Sequence, residues 1–191
     1  MDQICSSQIC SGCQACKESC PVQAISMEEN SRGFVYPKID KSICIDCKKC
    51  VKVCPAINPQ QKNPAQDIVY AAWTKDSLNR WFSTSGGVSY ELSKWIVENG
   101  GVFCGCRWNI DHAEHVCCDC IEELHQFQGS KYTYSNINGV YTQICTYLKS
   151  GRKVLFVGTA CQVAGLKSFL VKEYDNLYAV EILCHGIPSL S

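Results

Sequence analysis

The 191-residue sequence predicts an α+β chain in two parts, a small module built on cysteines and then a partial α/β domain with a mixed, partly parallel sheet. Three observations lead there. One cysteine run occurs twice near the N-terminus, a polar stretch bracketed by prolines follows, and beyond it short apolar segments alternate with helix-like ones. The boundaries read as 1–58 for the module, 59–66 for a linker and 67–191 for the α/β part.

Composition removes several function classes. There are 18 Lys and Arg against 18 Asp and Glu, a formal net charge of zero. That balance speaks against a generally basic nucleic-acid binder and against an acidic disordered tail. No apolar run approaches the roughly 20 residues that span a bilayer, so no membrane span is expected. The 17 cysteines are an odd number, and the opening residues are short and polar, with no basic-then-apolar export segment. A secreted disulfide scaffold therefore fits poorly. A cytoplasmic protein with many of its thiols on metal is expected.

In the module, Cys10-Ser-Gly-Cys13-Gln-Ala-Cys16-Lys-Glu-Ser-Cys20-Pro21 has the spacing of Cys44-Ile-Asp-Cys47-Lys-Lys-Cys50-Val-Lys-Val-Cys54-Pro55. Between them, Ala24–Met27 and Gly33–Ile39 read as paired extended segments. Two copies of one small unit imply a pseudo-twofold module that pairs with itself. A four-iron cubane needs one thiolate at each iron corner. Three cysteines at three-residue steps curl round one face, and the fourth, followed by proline, belongs to the other cluster. Cys10, Cys13, Cys16 and Cys54 are thus expected on one [4Fe-4S] cluster, and Cys44, Cys47, Cys50 and Cys20 on the second. This crossed ligation would tie together halves too small for a large core. Zinc knuckles do not use four cysteines and a fixed proline twice over. The spacing resembles that of the bacterial two-cluster ferredoxins. Cys5 lies outside it and reads as a bystander.

Residues 1–63 carry eight Lys and Arg against six Asp and Glu. Two oxidised clusters would turn that formal +2 to about −2. Lys41, Lys48, Lys49 and Lys52 would offset part of this charge, as a solvated surface or as a rim that steers an acidic partner.

The second part is read in chain order. Ile68–Trp73 is a strand candidate. Val88, Leu92, Trp95 and Ile96 give Gly86–Asn99 a helical stripe. Gly101–Trp108 and Glu114–Cys120 read as strands, and Ile121–Phe127 as a short helix. Tyr141, Ile144, Cys145 and Leu148 share one face of a helix over Val140–Lys149. Val154–Val157 is a buried strand, followed by a helix from about Cys161 to Glu173 and a last strand at Leu177–Leu183. The chain then ends at Ile187-Pro-Ser-Leu-Ser191 with no closing helix, so a C-terminally truncated fold is expected.

Three loops combine strand ends with small or polar residues. Ser83-Thr-Ser-Gly-Gly-Val88 precedes a helix and would let its N–H groups approach a phosphate or ring, or would simply cap the helix. Val157-Gly-Thr-Ala-Cys-Gln162 follows a buried strand, where ligands sit in α/β sheets, and sets Cys161 at a helix start suited to metal or redox work. Cys184-His-Gly186 ends the next strand and is expected to converge on the same crevice.

These loops, with Gln128-Gly-Ser-Lys-Tyr132 and the run Val154–Leu166, resemble the coenzyme F420 hydrogenase/dehydrogenase beta-subunit family, many bacterial members of which carry an N-terminal two-cluster ferredoxin domain. The resemblance spans essentially the whole chain and implies an iron–sulfur flavoprotein oxidoreductase subunit, with FAD in the full-length member. It makes Ser85, Gly86, Gly87, Thr159 and Gln162 the flavin-side candidates. Cys161 and Cys184 would serve an additional cluster or line the flavin site. Ala160 stands where the family usually has proline.

Of the remaining thiols, Cys104, Cys106, Cys117, Cys118 and Cys120 read as buried small hydrophobes, with a zinc or third iron–sulfur site involving His112 and His115 as the alternative. Cys145 reads as core. The expected function is passage of electrons through two clusters to or from a flavin-type site, with a redox protein or a small organic acceptor as partner. The competing readings are a non-catalytic ferredoxin-type carrier or docking module and, more remotely, a zinc-based binding protein.

Overall fold

A computed structural model describes residues 3–59 and 68–188. Apart from Pro59, the expected linker lies outside them.

The N-terminal module places a four-residue helix in each cysteine run, α1 (Ala15–Glu18) and α2 (Lys49–Lys52). Between the runs, β1 (Ile25–Glu29) and β2 (Val35–Ile39) form an antiparallel hairpin, with Ile25 opposite Ile39 and Glu29 opposite Val35. Asn30 closes its turn, the side-chain oxygen accepting from the Arg32 and Phe34 amides. Pro37 is tolerated in β2 because a two-stranded sheet has a free edge. The apolar core of the module is Ile4, Cys16, Ile25 and Cys54, half of it thiols. Hydrophobic burial on that scale alone holds a segment of this size only weakly.

The second part is a three-layer α/β/α arrangement. Its elements are α3 (Ser77–Phe82), α4 (Val88–Glu98), β3 (Val102–Trp108), β4 (Ala113–Cys118), a 3₁₀ helix (Ile121–Phe127), β5 (Ser135–Asn136), α5 (Val140–Lys149), β6 (Val154–Thr159), α6 (Ala160–Leu170) and β7 (Leu177–Ile182). The strand order is β5-β4-β3-β6-β7. β3 and β4 are antiparallel, whereas β3–β6, β6–β7 and β4–β5 are parallel, which gives the expected mixed sheet.

Alternation along the strands sorts the core. Val102, Cys104, Val154 and Phe156 face α5 and α6. Phe103, Leu155 and Val157 face the opposite way, against Ile96 of α4 and Leu124 of the 3₁₀ helix. Ala15 and Val53 of the module belong to the α5/α6 side of this core. The cysteine module is therefore packed onto the sheet domain, not strung from it.

Two expectations about elements are corrected. Ile68–Trp73 is not a strand: its Ile68, Val69, Tyr70 and Trp73 side chains are exposed, and no neighbour pairs with it. The chain is drawn instead toward α4, where the Thr74 amide donates to Gly86 O at 2.7 Å and its hydroxyl donates to Glu91 at 2.5 Å. Immediately after it comes α3, absent from the sequence reading, with Asp76 as N-cap accepting from the Leu78 and Asn79 amides. The helix after β6 also stops earlier than expected, at Leu170. Among the described residues, no helix is long and apolar enough to cross a membrane.

Candidate functional site

The cysteine runs fold around two small, partly open cavities of similar size. Cys10, Cys13, Cys16 and Cys54 line the first. Cys44, Cys47, Cys50 and Cys20 line the second. The fourth cysteine of each run thus reaches across to the cavity of the other.

The backbone repeats around them. Gly12 and Gln14 lie in the left-handed region on either side of Cys13, at φ 68° and 63°; Asp46 and Lys48, at 50° and 60°, flank Cys47 in the same way. A left-handed backbone costs a residue with a Cβ about 1–2 kcal/mol. Such turns form concave nests of N–H groups, a geometry found around iron–sulfur and phosphate groups. The Ala24 N–H donates to Cys20 Sγ at 3.2 Å, and the Ala15, Lys17 and Val51 amides favour the thiolates of Cys13, Cys16 and Cys50. Burial pushes the Cys13 thiol up to about 11 and raises Cys16 and Cys50, against the pull of these amides. Without a bound cation these three thiols stay protonated, and binding one releases protons.

Four converging thiols, inward amides and an apolar lining fit a cubane cluster. No three His, Cys, Asp or Glu side chains among the described residues are grouped to hold a single metal ion.

The two cavities differ in their surroundings. Cys13 packs against α6, where a Cβ built on Gly165 would lie 3.2 Å from the Cys13 sulfur. The buried Tyr141 hydroxyl lies between two carbonyls, Cys13 O at 3.0 Å and Gln162 O at 2.9 Å. Tyr134 donates to Gly12 O at 3.1 Å, and Glu18 accepts from the Gly139 amide at 2.9 Å. The Cys161 thiol, 3.1 Å from Thr159 Oγ1, is near enough to Cys13 to interact electrostatically. The second cavity has no such cover: Cys47, Ile45, Lys48 and Lys49 are exposed.

Cys5 is not the bystander that spacing suggests. It lines the first cavity with Cys10, Cys13, Cys16 and Cys54 and packs against the core of the module. Tyr134 and Tyr141 were also missed, because apolar-face patterns mark aromatics as core and give no sign of which carbonyls their hydroxyls reach.

The flavin-side candidates divide into two groups. A Cβ on Gly86 would stand 2.5 Å from Ala72 O, and Asn79 and Thr74 pack on Gly87. Ser85 O accepts from Arg80. Gln128 donates to Asn79, and the Ser130 amide donates to Thr84, so the loop meets Gln128–Tyr132 through the chain's own bonds. The loop is thus held against Ala72, Thr74 and Asn79 by the chain's own contacts, with Thr84 and Ser85 exposed. At the other loop, Thr159 and Gln162 form a capping box on α6, and Gln162 also donates to Ser135 at 2.9 Å. Thr159 and Cys161 keep part of their surface free, and Cys184 is exposed beyond β7.

The later cysteines do not assemble. Cys104 and Cys117, opposite one another on β3 and β4, form a disulfide, which corrects the reading of both as unpaired packing residues. Cys106 lies on the same face as that pair, whereas Cys118 packs on the opposite one and donates to Cys120 O. His115 is buried, and His112 pairs with Asp111 at 2.6 Å. Strand alternation splits the group, so the zinc or third-cluster alternative has no common centre. Cys145 packs against the α5/α6 core as expected.

Two family models described as 4Fe-4S dicluster domains match the chain, over residues 9–57 and, overlapping them, residues 36–80. No curated protein matches it. The N-terminal region is an iron–sulfur module of ferredoxin type, the architecture of an electron carrier.

Proposed function

We propose that the chain is a two-cluster electron relay whose ligand sets are Cys10, Cys13, Cys16 with Cys54 and Cys44, Cys47, Cys50 with Cys20. The observation that carries it is the sorting of these eight thiols into two cavities with repeated backbone turns. When bound, the clusters supply one-electron storage and transfer. The protein's part is to hold the thiols, aim amides at the sulfurs and set unequal surroundings. The second cavity faces solvent with Lys48 and Lys49 on its rim, which suits an acidic redox protein or a small organic acceptor. The first faces α6 and Cys161, so the relay runs between the protein surface and the ends of β6 and β7.

A second reading adds an electron-accepting group at that strand end and makes the chain part of an oxidoreductase. The partly open Thr159–Cys161 loop, where α/β sheets take ligands, favours it, as does the resemblance to the F420 hydrogenase/dehydrogenase beta-subunit family.

Anaerobic reconstitution followed by iron, sulfide and flavin analysis tests both. About eight irons and eight sulfides per chain are expected from two four-iron clusters. Zinc without sulfide would overturn the relay. Eight irons with no flavin retained would overturn only a flavin in the second reading.

A further inference from the structure

The first cavity contains five thiols where a cubane has four iron corners. The fifth, Cys5, is held there by the chain before the motif. The Ile9 and Cys10 amides both donate to Ser6 O at 3.1 Å, a turn that doubles the chain back so that Cys5 faces Cys10. Ile4, 6% exposed, anchors the segment in the module core beside Cys16 and Cys54. Cys5 thus shares the cavity with Cys10 and Cys54, one thiol from each half of the ligand set, and packs on the module core that includes Cys54.

The internal repeat supplies a control. The two runs are offset by 34 residues, and the position that corresponds to Cys5 is Ile39, which lines the second cavity. The second cavity therefore has four thiols and an apolar side chain in place of the fifth.

We infer that Cys5 is a reserve ligand of the first cluster, able to take the iron corner held by Cys10 or Cys54. In that exchange the bond from iron to the resident sulfur breaks and one from iron to Cys5 Sγ forms. The Cys5 proton passes to the departing thiolate, and no electron is gained or lost. Where the resident cysteine is missing, Cys5 gives up its proton to solvent and binds directly.

The inference rests on the ligand assignment above, and one set of full-chain variants separates the two. Wild type and Cys5→Ala are each expected to hold about eight irons. Cys10→Ala is expected to keep about eight, with a changed electron paramagnetic resonance signal from one cluster. Cys5→Ala/Cys10→Ala and Cys44→Ala should each fall to about four. Cys54→Ala, alone and with Cys5→Ala, repeats the test at the other contact. Loss of about four irons from both Cys10→Ala and Cys54→Ala, with circular dichroism matching Cys44→Ala, would overturn the inference and leave the assignment intact. Loss of a cluster from Cys5→Ala alone would also overturn it, because Cys5 would then be an ordinary ligand. Fewer than about eight irons in wild type would overturn the assignment itself.

Discussion

The two cysteine cavities are made from one repeated spacing, and they differ in what the remaining chain does to them. Cys13 packs against α6, with Tyr141 and Tyr134 bonded to the carbonyls of its loop. Cys47 is exposed on a loop that carries lysines. A repeat fixes which thiols converge, while their solvation, and with it the potential and the direction of traffic, comes from the tertiary setting. The same contrast holds between the two parts of the chain. The module has a four-residue core, and the sheet domain has a layered one.

The largest break in this comparison comes from removing metal. Chelation under anaerobic conditions should leave amides of β1 and β2 unprotected in hydrogen exchange, while those of β3 and β6 stay protected. Equal loss in both would show that the sheet domain also depends on the thiols. Acid comes next. Burial holds His115 down to about 4, although the Val157 carbonyl at 3.3 Å works the other way. The unfolded chain takes up that proton near 6.5 and the folded one only near 4, so its stability is complete above 6.5 and falls as pH drops through 4. At most about 3 kcal/mol is involved. Protection of β4 and β6 amides should fall over that window, and His115→Phe should flatten the fall.

A smaller effect is expected at the junction. Tyr141→Phe removes the single O–H shared by the Cys13 and Gln162 carbonyls and should cost about 1–2 kcal/mol. It should also shift the potential of one cluster and not the other, as read by a redox titration. Smallest is the rim: Lys48→Gln/Lys49→Gln should slow reduction by an acidic donor protein a few-fold at low salt, with the difference gone at high salt and stability unchanged.

The ligand spacing, the hairpin, α5 and the mixed sheet were legible because each rests on local periodicity. The strand expected at Ile68–Trp73 failed because apolar content alone cannot say whether a pairing edge exists. The six-residue α3 hid because Leu78, Trp81 and Phe82 are exposed and form no buried stripe, although Asp76 was a cap signal in plain view. Nothing local to Gly86 and Gly87 announces that Ala72 and Thr74, from earlier in the chain, pack against them. Cys5 was missed for a related reason. Its role depends on a turn at Ser6, not on the spacing of the motif.

The central claim is the relay of two four-iron clusters in unequal settings. Electron paramagnetic resonance of the dithionite-reduced protein, alongside iron and sulfide analysis, tests it most directly. The account predicts about eight irons and eight sulfides, with two spin signals broadened by mutual coupling and reduced at separable potentials. A single uncoupled signal with about four irons, or metal without sulfide, would contradict it.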